Sequence, residues 1–156
     1  MIIIDYLGCH SQFTPILAQW HQDEWRNISP DLSTRKRVDL YKSYKSEAVI
    51  PSCLIAMSDG KLAGSSSLVF SDMDTHSHLT PWLASVYVHK KFRCQGIASQ
   101  LIQRCIENAH QSGAKTLYLF TADQSSFYMK RGWNMLETTK YHAELVDIMY
   151  YDLNTI

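Results

Sequence analysis

The strongest constraint on the fold lies between Trp82 and Ser112, WLASVYVHKKFRCQGIASQLIQRCIENAHQS. Trp82 to His89 is apolar and rich in aromatic and β-branched residues, the composition of a strand. A basic turn follows with Lys90, Lys91 and Arg93, and Gln95-Gly96-Ile97-Ala98 then opens a segment of different period. There Ile97, Leu101, Cys105 and Ala109 recur every fourth residue, Ile102 and Ile106 widen the stripe, and Gln103, Arg104, Glu107 and Asn108 face away. The spacing predicts a strand, a turn and an amphipathic helix resting on a core. Gly96 and Ala98 are small enough to let a ligand reach the backbone, and the free N–H groups of a helix N-terminus favour an anion.

The rest of the chain is read around this unit. Met1 to Leu7 is an opening strand suited to an edge. Phe13, Ile16, Leu17, Trp20 and Trp25 mark an amphipathic helix from Ser11, with Pro15 tolerated in its first turn. Ser29-Pro30-Asp31 interrupts it, and a second helix is expected from Thr34 to Ser46, with Val38, Leu40, Tyr41 and Tyr44 as its apolar face. Val49 to Met57 and Leu62 to Phe70 are strands joined antiparallel through Asp59-Gly60. Ser71 to Pro81 is a polar loop. Lys115 to Thr121, apolar on both faces, suits a buried strand parallel to Trp82–His89. Asp123 is the expected N-cap of a short helix, Gln124 to Arg131, with Gly132 as its C′ residue. Trp133 to Thr139 and Glu144 to Leu153 close the chain as strands around a turn at Tyr141-His142.

The 156 residues, 46% hydrophobic and 19% charged, are expected to form one domain over residues 1–156. Fifteen basic residues balance fifteen acidic ones, which gives no global field for a nucleic acid or a membrane surface. Met1-Ile2-Ile3-Ile4-Asp5 has no basic leader and no run of about eighteen apolar residues follows, so the expectation is a cytoplasmic protein. Cys9, Cys53, Cys94 and Cys105 show no Cys-x-x-Cys spacing and no histidine at ligand spacing. They are read as reduced thiols, and no metal is expected.

Neither Gly-x-x-x-x-Gly-Lys-Ser/Thr nor Gly-x-Gly-x-x-Gly occurs, which removes the P-loop and the Rossmann fingerprint. Arg93-Cys94-Gln95-Gly96-Ile97-Ala98 instead resembles the Gln/Arg-x-x-Gly-x-Gly/Ala signature of the GNAT acetyltransferase superfamily, and the preceding Val86-x-Val88 and basic turn match it too. A second segment, Asp123 to Trp133, resembles the family's Tyr-x-x-x-Gly-Phe pattern through Tyr128 and Gly132, with Trp133 in place of Phe. The resemblance implies an α/β (α+β) fold: a mixed central β-sheet of about seven strands, with about four helices on both faces, splayed between the two central parallel strands.

The same resemblance implies acetyl-CoA as co-substrate, its pyrophosphate on the turn and its pantetheine arm along the central strand. The matching positions are Val86, Tyr87 and Val88, then Arg93, Cys94, Gln95, Gly96, Ile97, Ala98 and Ser99, with Tyr128 near the thioester sulfur. Asp123 stands where the family often has Asn, after a shorter loop. Tyr128 is the implied catalytic acid and the Val88 N–H the oxyanion donor. Some members carry a Glu on the central strand, but Ala84 to Val88 offers no carboxylate, which leaves a water chain, the Asp72–His78 loop or Tyr141-His142. Such a site suits an amine already partly neutral: an α-amino group near 7.7–8.0 more than a lysine near 10.4.

The implied activity is N-acetyl transfer to a primary amine, of a peptide N-terminus or a small molecule, by direct attack in a ternary complex; the alternative is an inactive module that binds CoA or a protein partner. A homodimer stays open. Asp-Gln-x-x-Phe-Tyr and Asp23-Glu24-Trp25 also resemble, more weakly, the branch containing the actin N-terminal acetyltransferase, whose acidic substrate would want Arg35, Lys36, Arg37 or His142 in a basic groove.

Overall fold

Two turns made by residues at positive φ set two of the six strand pairings. Asp59 and Gly60 (φ 49° and 81°) fold β2 (Ser52–Ser58) back on β3 (Lys61–Val69), and His142 and Ala143 (φ 47° and 66°) fold β6 (Asn134–Tyr141) on β7 (Glu144–Asp152). With β1 (Ile2–Tyr6), β4 (Trp82–Val88) and β5 (Thr116–Thr121) they form one sheet, in the order β1-β2-β3-β4-β5-β7-β6. This computed structural model describes residues 1–156. Four helices join the strands: α1 (Thr14–Trp25), α2 (Thr34–Lys42), α3 (Ile97–Gln111) and α4 (Ser125–Met129). The element order and the edge position of β1 are those read from the sequence, and no helix is long and apolar enough to cross a membrane.

Every neighbouring pair is antiparallel except β4 and β5, which run parallel and meet at one register point, Trp82 opposite Tyr118. The Tyr118 N–H donates to the Pro81 carbonyl there (3.0 Å). Beyond it the two strands part, and the sheet opens into a gap toward their C-terminal ends. One face of the sheet is covered by α3, whose Ile97, Leu101, Ile102, Cys105, Ile106 and Ala109 lie in the largest core cluster. Burial of each large side chain contributes about 1.5–3 kcal/mol, enough to hold this helix against the central strands. The other face carries α1 and α2 over β2 and β3, and a third cluster under β4, β5 and β7.

Helices α3 and α4 are both finished by glycine, the Gly132 end as expected. Gly113 (φ 91°) passes Ala114 N–H to the Ala109 carbonyl (3.2 Å), and Gly132 (φ 92°) passes Trp133 N–H to the Tyr128 carbonyl (3.2 Å).

Several expectations are corrected. Helix α2 stops at Lys42 rather than Ser46, because both the hydroxyl (2.6 Å) and the N–H (3.0 Å) of Ser43 turn to the Leu40 carbonyl. Strand β2 starts at Ser52 rather than Val49, after Pro51, which has no N–H for the ladder. On α1 the inward face is Thr14, Leu17, Ala18 and His21, while Ile16 is 45% exposed. Leu40 of α2 also faces outward and Arg37 inward. Asn108, expected at the surface of α3, is 4% exposed and donates to the Tyr6 hydroxyl (3.1 Å). Helix α4 runs Ser125–Met129 with Gln124 at its N-cap and no side-chain cap, so Asp123 is no cap; the Gln124 N–H itself donates to the Thr121 hydroxyl (3.0 Å).

Candidate functional site: a split between two parallel strands

The register of β4 against β3 passes from Ser67↔Ala84 to Ser65↔Tyr87, so two steps on β3 face three on β4. The extra residue is a bulge at Ser85 (φ 53°). Its effect follows from strand alternation. Before the bulge the Pro81 carbonyl points to β5 and Trp82 and Ala84 lie on the α1 side of the sheet; beyond it the His89 N–H bonds the Ala63 carbonyl of β3 (2.8 Å), which turns the backbone groups of Val86 and Val88 away from β3. They therefore face the gap. Side chains reverse as well: Val86 and Val88 pack on the α3 cluster, and the Tyr87 ring turns to the Trp20 and Trp25 rings of α1 (centroids 5.7 and 6.1 Å apart). The Tyr87 backbone points to β3, where a Cβ on Gly64 would lie 2.5 Å from the Tyr87 oxygen. Gly64 is thus the residue that permits this close pairing.

The turn from β4 into α3 holds Cys94 (φ 63°) and Gly96 (φ 76°) in left-handed conformations. None of the backbone N–H groups from Gln95 to Ser99 bonds within the chain. Five free donors at the N-terminus of a fifteen-residue helix are an arrangement that favours an anion, and a Cβ built on Gly96 meets nothing within 4 Å. Arg93 donates from Nε to the Val88 carbonyl (2.9 Å), so its guanidinium bridges the turn and the gap-facing strand. Arg131, read from the sequence only as a charge in the last turn of α4, lies over the Phe127 ring (3.6 Å) and donates to the Ser99 hydroxyl (3.1 Å) and the Phe127 carbonyl (2.9 Å). With Lys130 it borders an open groove of about 550 Å³ along α3. Its signal in sequence was there only as the spacing of Phe127 and Arg131, one helical turn apart.

Tyr128 is 7% exposed and belongs to the α3 cluster with Ile97, Leu119 and Trp133, against which Val86, Val88 and Ala98 also pack. Its ring stands edge-on to Phe127 and Trp133 (centroids 5.3 and 5.8 Å). The hydroxyl has no hydrogen-bond partner in the chain, and burial pushes it above the ordinary phenol range. Helix α4 is fixed under this residue by Asp147 of β7, which accepts from Ser125 (2.5 Å) and Thr138 (2.7 Å); those two bonds hold the Asp147 carboxyl below its ordinary value. Asp123 is exposed and bonds to nothing.

The base candidates lie on the opposite face from α3. Burial pushes Asp72 up to about 7, with Arg37 nearby opposing the shift. His76 contacts Glu137 (2.8 Å) and stacks with His78, the Tyr141 hydroxyl donates to Asp74 (3.3 Å), and His142 sits in the exposed β6–β7 turn. Arg35 and Lys36 are exposed, but Arg37 is 3% exposed and faces inward. Cys53 and Cys105 are buried, which pushes both thiols up to about 12, while Cys9 and Cys94 are exposed.

A buried polar chain that sequence reasoning missed ends at the bulge. Ser65 Oγ donates to the Ser85 carbonyl (2.8 Å) and meets His21 Nε2 (2.8 Å); His21 Nδ1 meets the Tyr41 hydroxyl (2.8 Å), which Arg37 approaches at 3.4 Å. Burial lowers His21 to about 3, so it is neutral. Since the unfolded chain takes up this proton near 6.5 and the folded one does not, stability is full above 6.5 and falls as pH drops below it, by about 1.4 kcal/mol per unit. His21→Gln should therefore flatten the pH dependence of unfolding between about pH 6.5 and 5, removing about 2 kcal/mol of it in denaturant titrations. An unchanged slope would mean that His21 protonates in the folded state.

The same fold is found in solved structures of low identity. The yncA protein of Salmonella typhimurium, solved with its cofactor acetyl-CoA, superposes with a TM-score of 0.73 at 14% identity over 97% of this chain and 94% of that one. Aminoglycoside 6'-acetyltransferase type Ii gives 0.73 at 16% identity, over 97% of each chain. An N-acetyltransferase of Staphylococcus aureus Mu50 gives 0.71 at 18%, over 98% and 99%. Among curated protein sequences none matches the chain. The model of the Acetyltransferase (GNAT) family matches residues 14–133. That match begins in α1, takes in both strands of the gap and all of α3, and ends beyond α4: the chain belongs to the GNAT acetyltransferase family.

Proposed function

We propose that the chain, as one domain over residues 1–156, is an acetyl-CoA-dependent N-acetyltransferase acting on a primary amine by direct attack in a ternary complex. The single observation that carries this is the one-point pairing of β4 with β5, with the Val86 and Val88 backbone groups turned into the opening that follows. An extended arm with amide groups fits there as an added strand, and a diphosphate fits the five free N–H groups of the next turn. Arg93 and Arg131 add cationic donors at either side of that turn. When bound, acetyl-CoA supplies an acetyl thioester. The Val88 N–H is the donor for charge building on its carbonyl oxygen, and Tyr128, kept protonated by burial, is the acid for the departing sulfur.

With no carboxylate on β4, the amine is one that reaches the site partly neutral, and its proton passes to solvent, to the Asp72–His78 loop or to Tyr141-His142. The test is calorimetry with acetyl-CoA followed by a free-thiol assay across peptides and small amines. Saturable binding with amine-dependent CoA release is the expected result. Binding with no release from any amine makes the chain a non-catalytic CoA-binding module, and absence of binding overturns the reading.

A further inference from the structure

We propose that His21 is a positioning residue which, through Ser65, locks the Ser85 bulge in the register that turns the Val86 and Val88 backbone groups into the β4–β5 gap. The inference rests on the reading of that gap as the channel for the pantetheine arm.

The direction of every proton in the chain is determined by its last member. The Ser85 carbonyl only accepts, so the Ser65 hydroxyl gives its one proton there and must itself accept from His21. His21 is thus the tautomer protonated at Nε2, its Nδ1 accepts from the Tyr41 hydroxyl, and the Tyr41 oxygen faces Arg37 Nη1. Neutral His21 is the one state that can do this, in agreement with its burial. The arrangement crosses four elements, α2, α1, β3 and β4, and ends on the one strand residue of the gap held at positive φ.

Something must hold it. A non-glycine residue in the left-handed region costs about 1–2 kcal/mol, and a bulge can migrate or relax when nothing fixes its carbonyl. If β4 lost its extra residue, alternation would return the Val86 and Val88 backbone groups to β3 and bring the Tyr87 groups into the gap. The gap would survive, but its wall would present the wrong donors and acceptors and the wrong side chains.

This separates a positioning role from plain structural support. Adenosine 3′,5′-bisphosphate meets the turn before α3 but has no pantetheine arm, so it reports the anion site alone. By calorimetry, Ser65→Ala should weaken acetyl-CoA about tenfold and the bisphosphate less than about twofold. His21→Leu should show the same arm-specific loss. His21→Gln, which keeps an N–H donor for Ser65, should recover acetyl-CoA binding to within about threefold of the wild type. Equal losses for both ligands would reduce His21 and Ser65 to general stability, and unchanged acetyl-CoA binding in Ser65→Ala would overturn the proposal outright. A wild-type protein that binds both ligands equally well would instead overturn the assignment of the gap to the arm.

Discussion

Gly96→Glu should weaken acetyl-CoA binding by at least about 100-fold, with folding retained. The open space above Gly96 permits the side chain, since a Cβ there meets nothing within 4 Å. The backbone φ of 76° makes any non-glycine residue pay about 1–2 kcal/mol, some of it relieved by shifting the turn and misaligning the five free N–H groups. The larger effect is charge. A carboxylate about 4 Å from a diphosphate oxygen is repelled by about 4 kcal/mol per charge pair at an effective dielectric constant of 20, and about 2.7 kcal/mol already corresponds to 100-fold. Gly96→Ala separates the two contributions, because it carries the strain without the charge and should lose less than about tenfold. Calorimetry on both variants, with thermal melting as the control for folding, reads this directly. A glutamate variant that binds within threefold of the wild type would place the diphosphate somewhere else.

The strand–turn–helix unit around this glycine was legible because each part reports locally. An apolar, β-branched and aromatic run gives way to a period near four after Gly96, and left-handed backbone is written in that glycine. The same holds for the Asp59-Gly60 hairpin and the Gly132 helix end. What escaped is set by tertiary contact. Alternation along Trp82–Val88 gives no sign of the extra residue at Ser85, since a serine at positive φ looks like any strand serine, yet that residue decides that Val86 and Val88, and not Tyr87, present backbone groups to the gap. His21 sits among Gln19, Gln22 and Asp23 in a helix whose apolar residues suggested a different face. Its inward position requires Ser65 and Tyr41 as partners, which lie 44 and 20 residues away and satisfy a polar group that would otherwise be expelled. Arg37 was read as a groove residue for the same reason: a charge counts as exposed until a buried partner is known. Asp123 has no capping role because the helix begins one residue later, with Gln124 at the N-cap and no side chain bonded to the first turn.

Tyr128→Phe should lower kcat by about 100-fold while leaving acetyl-CoA affinity within about threefold of the wild type. The substitution removes one oxygen that bonds to nothing in the chain, so no partner is left unsatisfied, and the ring keeps its edge-on contacts with Phe127 and Trp133. Stability should change by less than about 1 kcal/mol. The loss therefore falls on the step in which sulfur departs, where a general acid is worth about 10²–10⁴. Burial raises the Tyr128 pKa, so the proton is present throughout the neutral range and the wild-type rate has no alkaline decline from this group below about pH 10. The acidic limb belongs to the acceptor amine, whose neutral fraction grows with pH. It should persist in the variant with the same midpoint, displaced downward by the lost acid. Unchanged turnover would remove Tyr128 from the chemistry, whereas parallel losses in kcat and acetyl-CoA affinity would show that the hydroxyl serves to seat the donor. A variant whose rate falls and whose acidic midpoint also moves would show that the phenol acts on the amine instead of on the sulfur.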